Sequence, residues 1–225
     1  MDQADKKPDV DLSLEGLLEA ATPVHREDHL EPEASRFTRP ASSGMDISLT
    51  LAAKLVAPIE REIDALPLLP WHEKASVFCH PTYEAPWALQ VVGSRVAGFW
   101  ALVSELTAQK AEEISFSTSM RCTELSKDLG FSVCHSWRRI VSQTHYAEQR
   151  LGGRCDGESY HFAYSGKDTP EMAGQTWSPA KTTVPGHFVA LAKALKEYVR
   201  DPVNHPAMEA IHDHVAWLTD HALLK

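Results

Sequence analysis

Closely spaced metal ligands are the first thing this chain lacks. It has no Cys-x-x-Cys pair, no His-Glu-x-x-His and no His-x-Glu followed by Pro-Cys-x-x-Cys, so the zinc sites that those spacings build are not indicated. Phosphate cradles are missing too. "LGGRCDGES" (151–159) holds three glycines but fits neither G-x-x-x-x-G-K-[ST] nor G-x-G-x-x-G, and it falls between two expected strands rather than before a helix. No G-x-S-x-G elbow is present to expose a serine nucleophile. None of these patterns calls for a cofactor.

Positive charge is also thin where nucleic acid would need it. The 22 Lys and Arg residues form no dense run, and the formal net charge is −9, which argues against phosphate-neutralising contact with DNA or RNA. The negative charge is uneven. Residues 1–44 carry ten acids against five bases, leaving a balance of only −4 for the rest of the chain. An acidic arm of this kind either solubilises the protein or meets a basic protein partner.

No apolar run approaches the ~18 residues of a membrane-spanning helix. The opening "MDQADKKPDVDLSLEG" lacks the charged, apolar, then small-residue order of a secretory leader, so the expectation is a cytoplasmic protein that does not enter membranes. Cysteine is sparse as well. Cys79, Cys122, Cys134 and Cys155 are expected to be reduced and to pack as small hydrophobes.

What is present is enough apolar material for a core, 43% of 225 residues. The pattern divides the chain into an acidic, partly helical arm and linker over 1–44 and a single α+β globular domain over 45–225. In the arm, "DLSLEGLLEAA" (11–21) spaces leucines at i, i+3, i+4, and the proline-rich stretch after it reads as linker. From Asp46 a second helical stripe runs through Ala52, Leu55, Val56, Ile59, Ile63 and Leu66. Pro58 predicts a kink or two abutting helices there.

The middle of the chain changes to period 2. "WALQVV" and "VAGFWALVSEL" flank Gly93-Ser94-Arg95 as a hairpin, and "EISFSTSMRC" alternates an apolar face with a hydroxyl-rich one, as in an antiparallel sheet covered on one side. Further strands are expected at "GFSVC", "WRRIVSQTHY" and "ESYHFAY". The last groups Tyr160, Phe162 and Tyr164, with His161 opposite. "GHFVALAKALKEYVR" and "PAMEAIHDHVAWLTDHALL" carry helical stripes. The fold class is therefore α+β, an antiparallel meander of roughly five to six strands packed against N- and C-terminal helices.

Chemistry is harder to find. Cys79-His80 and Cys134-His135 invite a zinc reading, but neighbouring residues of a strand point to opposite faces. His25 and His29 fall in the linker, and His212 with His214 stand i, i+2 on a helix, where they do not share a face. No metal site is expected. A sticky sheet face remains, presenting Arg121, Trp137, Arg139, His145 and His161, residue types that favour protein contacts. The leading expectation is a non-enzymatic protein that binds another protein, of the immunity or inhibitor type. The alternative is a hydrolase with a dispersed site, such as Cys134 with His145 or His161. A third reading is a cradle for a small apolar ligand lined by Trp100, Phe116, Phe162 and Tyr164.

Overall fold

The computed structural model describes residues 30, 47–68, 72–110, 115–144, 157–167 and 169–221. The helix expected over 11–21, the histidines at 25 and 29, His145 and the loop 150–156 lie outside the described residues.

Leu51, Leu55, Ile59 and Ile63 recur every four residues and form one buried stripe, which makes α1 (Ile47–Ile63) an amphipathic helix. It is one continuous helix across Pro58 rather than two abutting ones. The carbonyl left without its usual donor belongs to Lys54, an exposed residue, so water can replace the missing N–H.

Six strands follow in one antiparallel sheet: β1 (Glu73–Pro81), β2 (Trp87–Ser94), β3 (Gly98–Lys110), β4 (Ser115–Leu125), β5 (Glu158–Gly166) and β6 (Thr169–Trp177). Their spatial order is β4-β3-β2-β1-β5-β6. Four strands meander, and the chain then crosses through α2 (Lys127–Ser142) to lay β5 against β1, with Val77 opposite Phe162. The chain returns to helix in α3 (Val184–Arg200) and α4 (His205–His221). The fold is α+β, with a six-stranded antiparallel sheet and helices on both its N- and C-terminal sides.

Two of the expected strands are corrected to helix. "GFSVC" and most of "WRRIVSQTHY" belong to α2, whose buried residues Leu129, Val133, Cys134, Trp137, Ile140 and Val141 follow helical spacing. Ser126 starts the helix by accepting a hydrogen bond from the Leu129 N–H at 3.3 Å, and Asp128 sits in the first turn. The strand count holds because β1 and β6, which the sequence reading passed over, take their places. The β2–β3 turn also falls later than expected, between Ser94 and Gly98, with Ser94 Oγ accepting from the Ala97 N–H at 3.0 Å.

The sheet is covered on both faces, not one. Ala75, Val77, Leu89, Val91, Ala101, Val103, Tyr160, Phe162 and Tyr164 pack against α2, α3 and α4 in the larger core. Phe78, Ala88, Val92 and Leu102 face the other way, onto α1. β2 is buried along its whole length, which requires apolar groups at successive positions rather than alternate ones. Leu30 is fully buried in the larger core, against Gly174 of β6.

Candidate functional site

Of the five residues expected on one sticky face, the four among the described residues, Arg121, Trp137, Arg139 and His161, do not meet. Trp137 is 0% exposed, edge-on to Phe188 with ring centroids 4.5 Å apart and to Phe162 at 5.6 Å, so it is a core residue. Arg139, two positions on, leaves that face of α2 and donates from Nη1 to the Thr219 carbonyl near the end of α4, at 3.3 Å. Arg121 does the same for α3, donating to the Arg200 carbonyl at 2.7 Å. Both arginines thus sit at helix C-termini, where a cation satisfies unpaired carbonyls and complements the dipole.

His161 lies on the other side of the sheet. It pairs with Phe78 across β1–β5, the rings 6.0 Å apart, whereas Arg121 pairs with Val103 and shares the face of the larger core. Cys134 is in the larger core too, so the sheet separates its thiol from His161. Burial pushes the Cys79 thiol up to about 12 and raises that of Cys134 well above its ordinary value. Neither offers a thiolate nucleophile near neutral pH. The apolar cradle fails on the same geometry. Trp100 packs on the α1 side while Phe162 and Tyr164 face α2, and Phe162 stacks on Phe188 at 4.2 Å, which fills that space.

A different group of residues converges at one end of the sheet. The antiparallel register sets Glu73 opposite Gly93 and Lys74 opposite Ser165, so the start of β1, the β2–β3 turn and the β5–β6 turn come together. α2 crosses above them. The result is a cavity of about 470 Å³ lined by Glu73, Ser94, Arg95, Phe131, Arg138, Tyr164, Gly166, Lys167 and Thr169.

Three of these residues are cationic and one is acidic. The Arg95 guanidinium lies 3.5 Å from the centre of the Phe131 ring, a cation–π contact that holds it at the rim. Phe131 in turn stacks on His135, one turn along α2. Among the described residues no ion pair engages Arg95 or Arg138. Burial raises the Glu73 carboxyl above its ordinary value, even against the opposing charges of Arg138, His135 and Arg95. Burial, then the Glu73 charge, pushes the Tyr164 hydroxyl up to about 12, so it stays a neutral donor. The site combines two guanidinium groups that make no ion pair among the described residues, a phenol O–H and an aromatic wall, a set suited to carboxylate or another planar anion.

A second cavity, of about 310 Å³, opens between α1 and β1. Its central charges are already matched: Glu60 pairs with Lys74 and accepts from Gln90 Nε2 at 3.2 Å. Its remaining charged residue, Glu171, is acidic, so this cavity gathers no cluster of cations.

Sequence reasoning missed the end-of-sheet cavity because its residues come from five separate elements and the turns between them. The strand reading hides Arg138; as a helical residue it sits two turns after Phe131 and one turn after His135, on the side of α2 that meets the cavity. No family model, no curated protein and no solved structure matches this chain. No helix among the described residues is long and apolar enough to cross a membrane.

Proposed function

We propose that this is a non-enzymatic, cytoplasmic protein that acts by binding another protein, in the manner of an immunity or inhibitor protein, and that the end-of-sheet cavity receives an acidic group of that partner. The observation that supports this reading most is the convergence of Arg95, Arg138 and Lys167 on one aromatic-walled concavity of an otherwise acidic chain. Arginine beside an aromatic ring is the composition of binding hot spots, and a local charge opposite to that of the surrounding surface orients an incoming partner. The buried, suppressed thiols of Cys79 and Cys134 favour this reading over a hydrolase built on either of those two cysteines.

A fluorescent hexaglutamate peptide probes the cavity directly by anisotropy. Wild-type protein is expected to bind it in a salt-dependent manner, and Arg138→Glu to weaken binding at least ~10-fold, since loss of one charge-assisted contact is worth about 1.4 kcal/mol or more. Equal affinity of wild type and variant would remove the cavity from the account.

A further inference from the structure

Away from that cavity, α3 and α4 carry a group of ring systems at the edge of the larger core, built around Trp217. The start of α3 lies beside the end of α4, and there the His187 ring stacks flat on the Trp217 indole, centroids 3.6 Å apart and planes within 5°. His221 stacks on the same indole at 3.9 Å and 7°. Two parallel rings that close to one centroid must lie on opposite faces, so the indole is sandwiched between them. His221 Nδ1 donates to the Trp217 carbonyl at 2.8 Å, which fixes that side of the stack. His187, held flat on the near side, meets His214 at 72° with their Nδ1 atoms 3.2 Å apart.

We infer that His187 and His214 bind one Zn²⁺ ion through their Nδ1 atoms, clipping α3 to α4. With Zn–N bonds of ~2.0–2.1 Å, nitrogens at this separation subtend an angle of roughly 100–106° at the metal, close to tetrahedral. Cis positions of a square-planar ion would need them at ~2.8–2.9 Å, so the spacing favours zinc over Cu²⁺. Burial lowers the pKa of both imidazoles, aided at His187 by His214 and His221 and opposed at His214 by the Asp213 charge. Without metal the same contact is an N–H···N hydrogen bond; on binding, the donor ring moves its proton to Nε2. Water fills the two remaining positions, because among the described residues no group of three or more His, Cys, Asp or Glu is placed to hold an ion. His212 with His214 is the pair that helical spacing rules out. The partner of His214 comes from 27 residues earlier, across a helix–helix contact.

Calorimetric titration of ZnCl₂ into the untagged, chelator-treated full chain tests the inference. One equivalent is expected to bind, with affinity falling at least tenfold in His187→Ala and in His214→Ala and unchanged in His212→Ala, which is exposed on the same helix. Zinc should raise the melting temperature of wild type and of His212→Ala but of neither ligand variant. Side-chain ¹⁵N spectra of the wild-type protein give a readout that does not depend on the variants folding. On zinc addition the Nδ1 resonances of both His187 and His214 should shift, and the donor ring should gain a proton on Nε2, so that both rings carry Nε2–H in the complex. Absence of a stoichiometric site, undiminished binding by both ligand variants, or a zinc response confined to other histidines would each overturn it.

Discussion

Gly130 of α2 approaches Phe99 of β3 so closely that a β-carbon on the glycine would sit 2.3 Å from both Cβ and Cγ of the phenylalanine. Two effects of Gly130→Ala therefore oppose one another. In an exposed helix the change would stabilise by ~1 kcal/mol through propensity. Here Phe99 is fully buried and has no room to withdraw, so overpacking of about 1–3 kcal/mol dominates. Urea denaturation should show a net loss of stability. A gain would mean that α2 is not seated on β3 at this point.

Trp137 and Arg139 should separate cleanly by the same measurement. Trp137→Ala removes a fully buried indole and is expected to cost about 3–5 kcal/mol. Trp137→Phe should cost clearly less, because the indole N–H finds no acceptor among the described residues and nothing polar is lost with it. Arg139→Ala, which loses one long contact to a helix end, should cost no more than ~1 kcal/mol. Similar effects at the two positions would restore the strand reading, in which they share a face.

That pair also shows what was legible in the sequence. Tyr160, Phe162 and Tyr164 recur at every second position, and they occupy the core face of β5 as expected. α3 and α4 were equally plain, since Phe188, Leu191 and Leu195 leave one reading of the period. In α2, Gly130 breaks the pattern and Trp137, Arg139 and Val141 alternate by coincidence, so a helix imitates a strand until its Ser126 cap is noticed. β1 was hidden by its double-sided burial: Val77, Phe78 and Cys79 are consecutive and all buried, with no alternation to detect. The cavity could not be read at all. Its existence depends on register between elements, which a single sequence does not encode locally.

Glu105 links the acid stability of the fold to α3. It accepts hydrogen bonds from Arg200 Nε at 2.9 Å and from Nη2, and lies 3.6 Å from Lys196. Burial alone would raise its pKa; the Arg200 bonds and charge, with Lys196, outweigh it and hold the carboxyl below the ordinary value of 4.5. The unfolded chain therefore takes up this proton first. The stabilisation is complete above the ordinary carboxylate range and disappears as pH falls through the lower folded value. Glu105→Gln should flatten the acid limb of a urea-midpoint against pH curve below about pH 4.5, with little change in its shape near pH 7. An acid limb of unaltered slope would show that other carboxylates carry the dependence.

The proposed binding function stands or falls on whether the chain has a partner held at the cavity. Isolation of the protein from its own cells by gentle affinity purification, with mass-spectrometric stoichiometry, should recover one partner protein with wild type. That partner should be retained by Lys181→Ala, an exposed position outside the cavity lining, and lost from Arg95→Ala/Arg138→Ala. Recovery of the chain alone, or of a partner that the double variant holds as well as wild type does, would contradict the account.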